Sequence, residues 1–172
     1  IENCTNNGSI TLNYANDSIG GIAGYIEKGS VANSINTGVI SSSYAKHVGG
    51  IIGNVGSTEF KGIVNSANLG NIEGRKHDVI IDNTVYEENP GSIFGFIGSH
   101  DSSLISNNYY LDGYDYGLVT ESNYTPATKV SLEDVKSGKL AYLLGNKFGQ
   151  KLDKLNDGEI KDVHPVVGGD VV

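Results

Sequence analysis

At 172 residues the chain accommodates one elongated domain with a small appendage, and 20 acidic against 12 basic residues leave a net charge of −8. That balance argues against nucleic acid, which requires a basic stripe to displace counterions. Cys4 is the single cysteine, so no internal disulfide can form. No apolar run approaches the roughly 18 residues of a membrane span, and no signal peptide is recognisable.

The chain opens on Ile1-Glu2-Asn3-Cys4-Thr5-Asn6-Asn7-Gly8. The same box returns as Val31-Ala32-Asn33-Ser34-Ile35-Asn36-Thr37-Gly38, as Ile63-Val64-Asn65-Ser66-Ala67-Asn68-Leu69-Gly70 and, degraded, as Ile105-Ser106-Asn107-Asn108-Tyr109-Tyr110-Leu111-Asp112. Successive copies lie 30, 32 and 42 residues apart. Between them a Gly-Gly-x-x-Gly box recurs at Gly20, Gly21 and Gly24, at Gly49, Gly50 and Gly53, and at Gly91, Ser92 and Gly95. A period near thirty signals repeats, and long amphipathic helices are missing. Short runs of Gly, Asn, Ser and β-branched residues instead predict short strands joined by tight corners.

Stacking the copies produces columns of like residues. Ile22, Ile51 and Ile93, then Gly24, Gly53 and Gly95, then Ile26, Val55 and Ile97 recur at a spacing of two, which places them on one strand face, the predicted core. Ala23, Ile52 and Phe94, and Tyr25, Asn54 and Phe96, are assigned to the outside. Each central glycine lets an opposing strand or large side chain approach. Asn3, Asn33, Asn65 and Asn107 form a column whose amides can bond along the stack and which tolerates the left-handed corner conformation. Cys4 sits where Ser34 and Ser66 sit and reads as a small column residue. The predicted fold class is all-β: a parallel β-solenoid, a right-handed β-helix of about four coils over residues 1–118. A small helix-plus-hairpin cap fills residues 119–172.

These boxes resemble the GLUG motif of bacterial cell-surface and secreted proteins, among them the non-catalytic part of immunoglobulin A peptidases and adhesins. The matching residues are Gly20, Gly21, Gly24, Asn33, Ser34, Asn36 and Gly38, then Gly49, Gly50, Gly53, Asn65, Ser66, Asn68 and Gly70. The last copy departs from the pattern at Ser92, Tyr110 and Asp112. The resemblance covers residues 1–113. It implies an extracellular location, at the bacterial cell surface or secreted, and a non-catalytic structural or adhesive role. A host or cell-surface protein or a glycan is the partner it implies. With no Met, and with Ile1 entering partway through a repeat, the sequence reads as a fragment whose further partner is the rest of its parent chain.

An insertion at residues 74–90 accounts for the longest offset, and Val79-Ile80-Ile81 in it suggests a strand. After the last repeat comes an aromatic and acidic cluster, Tyr109, Tyr110, Asp112, Tyr114, Asp115 and Tyr116. It suits either a sugar-stacking platform, since tyrosine offers a flat apolar face with a polar tip, or closure of the open end of the core. Residues 120–128 read as a linker. Ser131 then looks like an N-cap, Gly138 interrupts the helix, and Lys139 opens a second one that Gly145 stops. The apolar residues of both helices are expected to dock on the solenoid end. Residues 151–162, with the turn Asn156-Asp157-Gly158, predict a hairpin, and residues 166–172 the start of a connection. The helices, Phe148-Gly-Gln150 and His164-Pro-Val-Val167 also resemble the tail that follows such repeats in bacterial surface proteins, where a Trp is expected near Phe148.

No catalytic motif, phosphate loop or metal-ligand spacing is present, and no cofactor is implied. His47, His77, His100 and His164 are scattered and are read as surface residues. Glu27, Glu59, Glu73, Asp101 and Asp112 do not recur in one column. The enzymatic alternative is a fragment of a polysaccharide-active β-helix, whose paired carboxylates would need to converge within about 5–10 Å.

Overall fold

The structure, a computed structural model, describes residues 1–13, 18–74, 77–81, 84–88, 90–97, 101–113, 127–152 and 161–169, with the backbone alone over 77–81 and 84–88. Its longest sheet joins Thr5–Asn6, Ile35–Asn36, Ala67–Asn68, Tyr109–Leu111 and Thr128–Val130, all parallel. Thr5 faces Ile35, Ile35 faces Ala67, and Ala67 faces Tyr109, which reproduces the offsets of 30, 32 and 42 residues. Three further parallel sheets keep the same order of repeats. They join Gly29–Ala32, Phe60–Val64 and Ile105–Ser106; Ile10–Thr11, Ile40–Ser42 and Ile72–Gly74; and Ala23–Ile26, Ile52–Val55 and Phe94–Ile97. Ser18–Gly20 pairs with His47–Gly49 in a parallel two-stranded sheet. The chain is thus an all-β stack of parallel strands, β-helix-like, in which each repeat lies on the one before it.

Two local devices turn the chain at each level. Asn3, Asn33, Asn65 and Asn107 have φ of 55°, 49°, 50° and 57°, and they are the non-glycine residues with positive φ among those described. For most side chains that conformation costs about 1–2 kcal/mol, and asparagine tolerates it. The second device is the Gly-Gly-x-x-Gly box, which folds Ser18–Gly20 back against Ala23–Ile26, and His47–Gly49 back against Ile52–Val55. A Cβ on Gly53 would lie 2.5 Å from the Gly24 carbonyl oxygen and 2.7 Å from the Ile19 nitrogen, so backbone meets backbone there.

That close approach corrects one expectation. Ile52 and Phe94, assigned to the outside, are 0% and 2% exposed, and they share a core with Ile26, Val31, Ile51, Val55, Ile63, Ile93, Ile97 and Ile105. Ile22, expected inside, is only half-buried. His47 is likewise buried and stacks on Phe96 with ring centroids 4.9 Å apart, so it is not a surface residue.

The C-terminal part adds the strand Thr128–Val130 to the edge of the five-stranded sheet, so Thr128 is a strand residue and not part of the expected linker. Ser131 then caps α1 (Leu132–Lys136): its hydroxyl accepts from the Asp134 N–H while the Asp134 carboxylate accepts from the Ser131 N–H. Gly138, at φ 81°, separates α1 from α2 (Lys139–Leu144), and Gly145 at φ 92° ends it. The helices do not simply plug an end. Val135, Leu140 and Leu144 share a buried cluster with Ile35, Ala67, Tyr109 and Phe148, covering one face of the five-stranded sheet along three repeats. Val166–Val167, expected to begin a connection, pairs antiparallel with Phe148–Gly149. The insertion forms a hairpin, His77–Ile81 against Thr84–Glu88. The turn expected at Asn156-Asp157-Gly158 lies outside the described residues.

Candidate functional site

The polar side chains of the repeat converge on one another along the stack. In the sheet of Ile35–Asn36 and Ala67–Asn68, alternate residues face opposite sides. Ile35 and Ala67 meet the helices, while Asn36 and Asn68, 0% and 2% exposed, turn the other way. The Asn6 amide donates to Asn36 Oδ1 at 2.7 Å, and Asn36 Nδ2 donates to Asn68 Oδ1 at 2.8 Å and to the Gly38 carbonyl at 3.0 Å. Asn36 Oδ1 also accepts from the Gly38 N–H at 3.2 Å. This inner ladder makes each buried amide both donor and acceptor, which removes the cost of burying it.

A second ladder runs along the corners, in the opposite sense. Asn107 Nδ2 donates to Asn65 Oδ1 at 2.8 Å and to the Leu143 carbonyl at 2.9 Å, and Asn65 Nδ2 donates to Asn33 Oδ1 at 3.2 Å. Between the ladders lies a hydroxyl column. The Cys4 N–H donates to Ser34 Oγ at 3.3 Å, the Ser34 N–H to Ser66 Oγ at 3.2 Å, and the Ser66 N–H to Asn108 Oδ1 at 3.1 Å. Cys4 Sγ contacts the Glu2 carbonyl as Ser34 Oγ contacts that of Ala32, so the thiol is a column member.

The tyrosine strand divides between two cores. Tyr109 is 7% exposed in the helix-covered cluster, and its hydroxyl donates to Asn107 Oδ1 at 2.6 Å. Burial raises its pKa above the usual tyrosine value. Tyr110 faces the opposite way, half-buried against the central core where Asn68 stands one repeat earlier. Asp112 is exposed and pairs with Lys129 at 3.1 Å. The hydrogen bond from Lys129, then that from the Gly113 N–H, hold its carboxyl below the usual carboxylate range. Tyr109 and Tyr110 therefore do not form an exposed aromatic row. Tyr114, Asp115 and Tyr116 lie outside the described residues.

Of the remaining candidates, Gly20, Gly21, Gly49, Gly50, Gly91 and Gly95 stand at backbone contacts within the Gly-Gly-x-x-Gly corners or beside the inner Asn ladder. Among the described residues no three His, Cys, Asp or Glu side chains are grouped to hold a metal ion, and no helix is long and apolar enough to cross a membrane. The feature that sequence reading missed is the burial of Ile35 and Ala67, whereas the burial of Tyr109 against Leu140 and Leu143 agrees with the core-closing alternative. The apolar character of Ile35 and Ala67, alternating with Asn36 and Asn68 where the first copy has Thr5, was the available signal.

No protein-family model, no curated protein and no solved structure matches the chain.

Proposed function

We propose that the chain is a non-catalytic structural segment of a larger bacterial surface or secreted protein: a right-handed parallel β-solenoid of about four coils that acts as a rigid, adhesive spacer. The observation that carries this reading is the pairing of like side chains between repeats. The Asn and Ser residues of the boxes, the side chains most suited to polar ligands, bond to their counterparts 30, 32 and 42 residues away. Chemistry spent in this way stiffens a scaffold. The likeness of the boxes to the GLUG motif adds the extracellular setting, and a net charge of −8 keeps such a segment off nucleic acid.

The sugar-binding reading of the tyrosine cluster gains no support from Tyr109 and Tyr110, which the fold itself uses. The test is a screen of the purified chain against arrayed glycans and extracellular-matrix proteins, with polysaccharide hydrolysis and elimination assayed in parallel. An adhesive spacer binds an arrayed protein and turns over no polysaccharide, and a blank array leaves the spacer role without the adhesive one. Turnover that survives repurification would overturn the reading, and glycan binding lost in Tyr114→Ala/Tyr116→Ala would replace it with a recognition module.

A further inference from the structure

The first repeat makes fewer contacts along the columns than the repeats stacked on it. Gly38 and Gly70 have no room for a Cβ: it would fall on the carbonyl oxygen of Gly8 and of Gly38 respectively, the glycine one repeat earlier. Gly8 occupies the same position, yet an added Cβ there would meet only Asn6 Oδ1, at an ordinary 3.7 Å. Its φ is not in the positive region either. Neither backbone conformation nor packing among the described residues demands glycine at this position.

The hydrogen-bond columns follow the same pattern. Asn36 Oδ1 accepts both from the Gly38 N–H and from the Asn6 amide, whereas among the described residues Asn6 Oδ1 accepts from the Gly8 N–H alone. Ser34 and Ser66 Oγ each accept a backbone N–H from the preceding repeat, and Cys4 Sγ holds the equivalent place at the edge. Cys4 O, Asn6 O, Ile10 N and Leu12 N are bonded to the next repeat, so the intervening Thr5 and Thr11 direct their N–H and C=O groups away from it. Proteins normally protect such an edge with lysine, proline or inward charge. Residues 1–13 carry one charged side chain, Glu2, and no proline.

We propose that this edge is a docking surface for one further coil of the same Asn-Ser-x-Asn-x-Gly repeat, stacked parallel to the first. Its asparagine amide donates to Asn6 Oδ1, its backbone N–H to Cys4 Sγ, and its glycine carbonyl sits over Gly8. The direction of the ladders selects this occupant over a second copy of the chain. The Gly38 N–H and C=O fix which end of the Asn36 amide is oxygen, so the inner ladder has a defined polarity. A two-fold related copy would bring acceptor against acceptor and run its strands antiparallel. A copy in the same polarity would present its last repeat, which has Tyr110 and Asp112 in place of the inner asparagine and the glycine, and which already pairs with Thr128–Val130.

The test joins a duplicate of residues 31–62 directly ahead of Ile1 in the intact chain, which preserves register. Amide hydrogen exchange is then read with and without the extension. Protection at Thr5 and Thr11 rises by at least about 100-fold on extension, and Gly8→Ala in the extended chain abolishes the rise. Gly8→Ala in the 172-residue chain leaves its urea midpoint unchanged or higher, while Gly38→Ala lowers it. Amides of Ile35 and Ala67 report that the stack is folded in each variant. Unchanged exchange at Thr5 and Thr11 in a folded, extended chain overturns the proposal, and so does an extended chain indifferent to Gly8→Ala. A concentration-dependent dimer of the unextended chain that already protects both threonines assigns the edge to a second copy instead. If the extended chain does not fold, a Gly8→Ala that destabilises the original chain as much as Gly38→Ala sinks the premise.

Discussion

Asn36 is the side chain on which the stacking account can be tested most sharply. It is fully buried and makes four hydrogen bonds, to Asn6, Asn68 and twice to Gly38. In Asn36→Ala, Asn68 Oδ1 and the Gly38 carbonyl lose the Asn36 donor in a buried setting, while the Asn6 amide is near enough to solvent to find water. Two orphaned buried acceptors at about 1–3 kcal/mol each predict a loss of about 2–6 kcal/mol, a large part of the roughly 5–15 kcal/mol of a typical domain. Asn36→Leu, which fills the volume, is expected to lose nearly as much, because the cost lies in the acceptors. Asn36→Asp removes both donor bonds and buries a charge. Burial raises the pKa of that carboxyl, so the variant suffers most at neutral pH and recovers as pH falls and the group protonates. Urea unfolding with a constant slope measures all three. Asn7→Ala, which removes only the exposed bond from Thr37 Oγ1, serves as the control and should lie within about 0.5 kcal/mol of the parent. An Asn36→Ala cost below about 1 kcal/mol with the slope unchanged would refute the ladder as a stabilising element.

At the corners, Asn65→Val and Asn65→Gly both lose the ladder contacts, but only valine resists φ 50°, so their melting temperatures should differ by about 2–8 °C, reflecting about 1–2 kcal/mol. Tyr109→Phe removes the 2.6 Å bond to Asn107 while keeping the ring among Leu140, Leu144 and Phe148, and should cost about 1 kcal/mol by chemical denaturation. The α1 cap carries a pH signature. Hydrogen bonds from Lys139, then from the Ser131 backbone and hydroxyl, lower the Asp134 pKa from 3.8 to about 2. A depressed carboxylate contributes its stability above the unfolded value and loses it as pH falls through the folded one. The stability gap between the parent and Asp134→Asn should therefore be constant above pH 5 and close between about pH 4 and pH 2. A gap that widens on acidification would contradict the assignment.

The register was legible because identical residues stand one above another. Asn33, Asn65 and Asn107, or Ile51 and Ile93, have no reason to recur unless they share an environment, and the pairing confirms the offsets they set. The helix boundaries were legible too, since Ser131, Gly138 and Gly145 are local signals that need no partner. What escaped was whatever depends on the second face of a strand. A spacing of two identifies one buried face and treats the other as surface, which fails for Ile52 and Phe94, where the glycine corners press a second strand close. For Ile35 and Ala67 the repeat pattern set no face at all, because the helices that cover them come from about a hundred residues later in the chain than Ile35. His47 belongs to the same class, since the ring that buries it, Phe96, lies a repeat away. For the tyrosine cluster, composition alone left a platform and closure of the core both open. It took the strand alternation of Tyr109 and Tyr110 to divide the two rings between opposite cores.

The most direct test of the stack is a ¹⁵N-edited NOESY spectrum of the chain, assigned at the asparagine side-chain amides. The account predicts cross-peaks between Asn36 and Asn68, 32 residues apart, and between Asn65 and Asn107, 42 apart. Their absence, with backbone contacts instead in the short antiparallel pattern of hairpins across residues 20–70, would contradict it.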